Sequence, residues 1–281
     1  MNLNNKIGLG TVQFGMPYGV SNKIGQTNPK EVQEILSFSE CNGITYLDTA
    51  PAYGNAETIL GNIGVDQFKI VSKFMPCNED ESLNIQLEKS LANLKINSLY
   101  GYIAHRPTQL YENPKQWDDL LRLKEEKKIK KIGFSLNQPR ELDFLLQKGM
   151  IPDLIQVPYN YFDNRFREYI VELKKEGCEI HARSPFLQGL FFTNHNELPP
   201  FFNELKENII ELKDNFGEIL SAVLLKYILS LDFIDIVIMG VENVGQLANN
   251  LRDIHNAEIL TPREFNFSDS VLIPSNWPKK I

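Results

Sequence analysis

Four side chains that could share one proton-transfer chemistry stand at the ends of short apolar runs. Asp48 closes Ile44-Thr45-Tyr46-Leu47, Tyr53 follows it past Pro51, Lys73 closes Phe68-Lys69-Ile70-Val71-Ser72, and His105 closes Leu99-Tyr100-Gly101-Tyr102-Ile103-Ala104. A phenol with a pKa near 10 is a poor proton donor at neutral pH unless its anion is stabilised. An ammonium within reach would stabilise phenolate and lower that pKa, and a carboxylate would keep the ammonium charged and oriented. An imidazole could hold a carbonyl oxygen where charge builds up. Such a set suits reduction of a carbonyl, and the missing hydride calls for a nicotinamide cofactor. Taken singly, each residue has an ordinary structural explanation: Asp48 as a turn cap, Tyr53 as packing, Lys73 as a surface lysine, His105 as a satisfied core histidine. Their matched positions at strand ends favour the chemical one.

Positioning them requires strands that deliver their last residues to a common mouth. Runs of four to seven residues that are apolar on both faces alternate with amphipathic helical segments eight times, which implies parallel strands covered by helices. The segments 6–11, 44–48, 68–73, 99–105, 132–135, 153–157, 178–182 and 234–238 read as strands. Helices are expected from Pro29 to about Asn42, near Asn55, from Glu79 through Leu94, over Trp117–Lys128, Arg140–Gln147, Arg165–Glu176, Asn203–Phe216, Glu218–Leu231 and Val244–Ile254. Eight repeats, with no GxGxxG opening the first helix, favour a closed (β/α)8 TIM barrel over an open doubly wound sheet. No linker divides residues 1–281, so a single domain is expected, with 261–281 as a tail over the barrel. In such a barrel the site lies at the C-terminal strand ends. The Gly-rich stretch Gln13–Gly25 could let a ligand approach the backbone, and the mixed-charge run Lys124–Lys131 reads as a solvated helix end.

The chain has 281 residues, 42% hydrophobic, with a formal net charge of −7. That balance argues against nucleic acid or an anionic membrane as partner. The polar start Met1–Lys6 shows no signal peptide, and no apolar run approaches the roughly 20 residues of a membrane span. Cys41, Cys77 and Cys178 are widely spaced, without metal-like pairing, and read as packing residues. A cytoplasmic protein is expected.

The chain resembles the aldo-keto reductase superfamily. The resemblance is carried by Gly8-Leu9-Gly10-Thr11, Leu47-Asp48-Thr49-Ala50 with Tyr53-Gly54-Asn55 and Glu57, Val71-Ser72-Lys73 and His105. It continues through Ile132-Gly133-Phe134-Ser135, Gln156-Val157-Pro158-Tyr159-Asn160, Ser184-Pro185-Phe186-Leu187-Gln188-Gly189-Leu190, and Gly240-Val241-Glu242-Asn243 with Gln246-Leu247 and Asn250. It implies a barrel that binds NADP(H) and transfers hydride to an aldehyde or ketone, with Tyr53 as general acid, Lys73 and Asp48 as its tuning pair, and His105 orienting the carbonyl. It further implies that Ser135 and Gln156 hold the nicotinamide carboxamide, that Gly10 and Thr11 lie near the nicotinamide ribose, and that Asn250 contacts adenine. Ser184, Phe186 and Gln188 match its cofactor-binding segment.

Three positions depart from the family pattern. Arg183 replaces an aromatic that stacks on the nicotinamide, and its planar guanidinium can stack too. Leu136 replaces the common Asn after Ser135. Gly240 and Gln246 occupy positions where a Lys and an Arg hold the 2′-phosphate, which leaves NAD(H) open beside NADP(H). The short chain leaves little length for specificity loops, so an open mouth suited to bulky or sugar-like carbonyls is expected, with the tail near Trp277 as one wall. Two other functions share the scaffold: a cofactor-binding sensor or regulatory subunit, and an epimerase or lyase that oxidises its substrate transiently. A metal hydrolase is the weakest rival, because one His and an ammonium do not make a ligand set.

Overall fold

In a computed structural model that describes residues 3–77, 81–194 and 196–278, eight parallel strands close on themselves. They are β1 Ile7–Gly10, β2 Tyr46–Asp48, β3 Lys69–Phe74, β4 Leu99–Ala104, β5 Ile129–Ser135, β6 Leu154–Pro158, β7 Glu179–Arg183 and β8 Ile236–Gly240. Each pairs with the next, and β8 returns to β1 through Ile7↔Val237 and Gly10↔Gly240. The expected barrel is therefore the observed one.

Strand alternation sorts the side chains into two cores. Ile7 and Leu9, Ile70 and Phe74, Ile132 and Phe134, and Val237 and Met239 face outward and join the large cluster under the helices. The intervening residues point into the barrel. Its lower interior is filled by Tyr46, Ile236 and Ile238 on one side and Val71, Ile103 and Leu154 on the other, both packed on Tyr100. Glu179 ties this floor together, accepting from Tyr100 Oη at 2.6 Å and Lys131 Nζ at 2.7 Å, with His181 Nε2 at 2.7 Å. Burial opposes its ionisation, but His181, Lys131 and Tyr100 together outweigh burial and hold its pKa down to about 2.

The helices form where periodicity and caps coincide. Pro29–Cys41 starts with Pro at its first turn, Asn28 capping Glu31 N at 3.0 Å, and buries Val32, Ile35, Leu36 and Ser39 along one face. Such a cap contributes about 1 kcal/mol. Leu83–Leu94 buries Leu83, Leu87, Leu91 and Leu94 behind a Ser82 cap; Glu79, expected to open this helix, lies outside the described residues.

Two expectations need correction. Lys124–Lys131 is only half helix end: the helix stops at Glu125, and Ile129-Lys130-Lys131 already belongs to β5, paired with Leu99 and Gly101. Its lysines disguise the strand because Lys131 reaches inward to Glu179 while Ile129 is buried. Of the three cysteines, all unpaired, only Cys178 is buried, and Cys41 is exposed. No helix among the described residues is long and apolar enough to cross a membrane.

Candidate active site

The alternation that fills the floor also builds the mouth. Inward positions near the C-terminal strand ends are Gly10, Asp48, Lys73, Ser135, Gln156, Arg183 and Gly240, with His105 one residue beyond β4. Register sets Gly10 level with Asp48 and Gly240, and Ser135 level with Gln156, while Lys73 and Arg183 stand two residues further along than the partners of Asp48 and Gln156. They surround an open cavity of about 900 Å³, within the range of ligand sites.

At its base Lys73 is almost wholly buried, and its Nζ donates to Asp48 Oδ1 at 2.7 Å, Thr49 O at 3.0 Å and Tyr53 Oη at 3.1 Å. Burial alone would lower the Lys73 pKa, but Asp48 and Tyr53 outweigh it and hold the ammonium above its ordinary value. Tyr53 is pushed up, chiefly by burial; Lys73 pulls it down but does not win. The expected lowering of the phenol is thus reversed, and Tyr53 stays a protonated phenol. His105 stands edge-on to Tyr53, ring centroids 5.9 Å apart. Burial, seconded by Lys73, lowers its pKa to about 4, so its ring is neutral at physiological pH. Its Nδ1 is buried without a partner.

The loop carrying Tyr53 is locked by two glycines. A Cβ on Gly15 would lie 1.7 Å from Tyr53 O, and one on Gly54, whose φ is +60°, 2.3 Å from Gly15 O. Gly15 therefore serves this loop–loop contact rather than the ligand approach expected of the Gly-rich stretch. That stretch also meets the loop after β7: Val20 N donates to Gln188 O at 3.0 Å, and Gln188 Nε2 to Tyr18 Oη at 2.7 Å. Ser184, Leu187 and Gln188 all hold positive φ there, a strain that clusters at functional sites.

Every site residue read from the sequence lines the cavity except Lys73, which is reached through Tyr53, and Thr11. Thr11 is fully buried, and its N–H and hydroxyl both donate to Asp48 O at 3.0 Å, so it anchors β2 instead of facing the mouth. Gln156 donates to Asp48 Oδ1 at 2.7 Å and accepts from Ser135 Oγ at 3.5 Å. Arg183 crosses to the loop after β5, donating to Leu136 O at 2.9 Å and Asn137 Oδ1 at 2.6 Å. At Gly240 a Cβ would meet the Gln13 amide at 2.6 Å, so Gln13 fills the space a longer residue would take. The Gln13 Oε1 is itself buried and unpartnered. Gln246 accepts from Glu242 N at 2.7 Å.

The Gln13–Gly25 stretch does reach the cavity, through the side chains of Gln13 and Tyr18 as well as backbone, while sequence reading missed Arg106, Asn137, Lys213 and Glu242 as cavity residues. Arg106 follows His105 directly, a signal that could have found it; Lys213 arrives from a distant helix and had none. The tail does reach the mouth, but through Pro274 and Ser275. Trp277, expected as a wall, packs on Phe202 instead, centroids 4.9 Å apart.

The C-terminal mouth of this closed parallel barrel thus holds an Asp–Lys–Tyr chain and a neutral imidazole. The aldo/keto reductase family profile matches residues 6–272, and the chain belongs to that family. Among curated proteins it is similar to a glyoxal reductase from Bacillus subtilis, 26% identical over 83% of this chain and 79% of that one. An aldo-keto reductase from Bacillus halodurans has the same fold, with a TM-score of 0.71 at 20% identity, over 91% of this chain and 88% of that one. Another from Klebsiella pneumoniae, solved in complex with NADPH, gives 0.66 at 20% identity over 91% and 87%.

Proposed function

We propose that this chain is an NADP(H)-dependent carbonyl reductase, converting an aldehyde or ketone to an alcohol with Tyr53 as general acid. The observation that carries the reading is the single ammonium of Lys73 held between Asp48 and Tyr53 at 2.7 and 3.1 Å. When bound, the nicotinamide supplies the hydride. The cavity's polar lining suits such a group: unpartnered Gln13 Oε1, the Ser135–Gln156 pair, the Lys213 ammonium, and Gln246 and Asn250 beyond β8. No cationic side chain stands at Gly240 or Gln246, so NAD(H) is the alternative cofactor. Arg183, with its plane fixed by Leu136 O and Asn137, would flank the nicotinamide.

Each residue then has a task. Tyr53 holds its proton until a carbonyl oxygen arrives, because burial keeps the phenol neutral. Transfer leaves a phenolate 3.1 Å from Lys73, worth about 5 kcal/mol of attraction at an effective dielectric of about 20. Asp48 keeps Lys73 charged. His105, neutral near pH 7, offers a hydrogen bond to the carbonyl oxygen without competing for the proton. The substrate is a small carbonyl compound, and the three unpaired cysteines suit the reducing cytoplasm.

The test follows NADPH and NADH absorbance with a panel of activated aldehydes and sugar carbonyls. Tyr53→Phe should abolish turnover while cofactor binding persists; retained turnover would refute Tyr53 as the acid.

A further inference from the structure

Arg106 is exposed and lines the same cavity as Tyr53 and His105, and its side chain makes no ion pair or hydrogen bond with any described residue. A lone surface arginine is ordinary. Three observations set this one apart. It follows His105 directly at the end of β4, so both side chains reach the cavity from one strand end. Arg183 lines the same cavity from the end of β7, and its own hydrogen bonds go to neutral oxygens of Leu136, Asn137 and Ser184. Asp48, the carboxylate at the base of the cavity, is already bonded to Lys73 and Gln156. Two guanidinium groups thus line the cavity without a hydrogen-bonded carboxylate, in a protein whose net charge is −7.

The cofactor's phosphates do not account for Arg106. Phosphate sites in such barrels form at the loops after the seventh and eighth strands, and β4 lies across the ring from β8. Lys213 is available on that far side: its Nζ donates to Phe192 O and Thr193 O in the segment after β7. The carboxylates Glu218 and Glu242 also come from chain flanking β8, not β4.

We propose that the carbonyl substrate carries an anionic group, a carboxylate or a phosphate, which Arg106 binds at the β4 side of the mouth with Arg183 adding to the positive field. This rests on the reductase reading of the same site. Guanidinium binds both anions through paired N–H donors. A charge-assisted contact of this kind gives about a ten- to hundredfold preference.

Matched pairs test it: 4-oxobutanoate against butanal, and glyceraldehyde 3-phosphate against glyceraldehyde, with wild type, R106Q and R106K at low and high salt. The expected result is at least a tenfold higher kcat/KM for a charged member over its uncharged partner, a ratio that collapses in R106Q, partly survives in R106K and shrinks with salt. Which pair shows the larger ratio tells carboxylate from phosphate. Ratios near one in wild type, or unchanged in R106Q, overturn the proposal while leaving the reductase reading intact. If no compound turns over, the reductase reading fails separately. Saturation-transfer NMR of 4-oxobutanoate then decides the anion contact: a signal lost in R106Q upholds it, and equal signals in both proteins overturn it.

Discussion

Replacing Lys73 with Met removes the charge that the proposed mechanism depends on while keeping the length of the side chain. The Nζ lies 3.1 Å from Tyr53 Oη, and at an effective dielectric of about 20 the lost attraction to a forming phenolate is about 5 kcal/mol. Each 1.36 kcal/mol is a factor of ten, so the chemical step should slow by about 10³- to 10⁴-fold. Asp48 loses its counter-charge at the same time, though Gln156 Nε2 still donates to it at 2.7 Å. An uncompensated buried carboxylate costs about 3–5 kcal/mol of stability. The companion Lys73→Met/Asp48→Asn protein, lacking that charge, should recover most of the stability and none of the rate. The assay is single-turnover hydride transfer by stopped flow, with urea unfolding of the same proteins. A folded Lys73→Met protein within tenfold of wild-type rate would refute the assignment of Lys73 as stabiliser of the phenolate.

Other outcomes follow from the same geometry. Gly15→Ala should cost about 1–3 kcal/mol and slow turnover by about 10²-fold, since a Cβ 1.7 Å from Tyr53 O must displace the tyrosine loop; unchanged melting and rate would contradict the lock. His105, with a pKa lowered from 6.5 to about 4 in the fold, takes its proton first in the unfolded chain. Its contribution is therefore whole above pH 6.5 and lost as pH falls toward 4, about 2 kcal/mol of it between pH 7.5 and 5. Urea unfolding at those two pH values should show a loss smaller by that amount in His105→Gln; parallel losses would refute it.

Much of the barrel was available from the sequence because its causes are local. Two-faced apolar runs, helical spacing such as Leu83–Leu87–Leu91–Leu94, and the residue types at strand ends identified the architecture and Asp48, Tyr53, Lys73 and His105 as one set. Charge pattern misled at Ile129-Lys130-Lys131, where the lysine that looks solvated reaches Glu179, 48 residues away. Direction of a pKa was equally out of reach: Lys73 alone argued for a lowered phenol, and only the enclosure of Tyr53 shows that burial prevails.

What the sequence determined, then, is which residues stand at the ends of which strands, since side-chain period and apolar patterning act over a few neighbours. Only the tertiary structure decided what those residues meet. It bonds Arg183 to Leu136 and Asn137, wedges Gly15 under Tyr53, sets Gln13 against Gly240, and turns Thr11 away from the mouth. It also leaves the Arg106 side chain, next to His105 in the chain, without a hydrogen-bond or ion-pair partner among the described residues. Those contacts join segments far apart along the chain, and closure of the barrel is what brings them within reach.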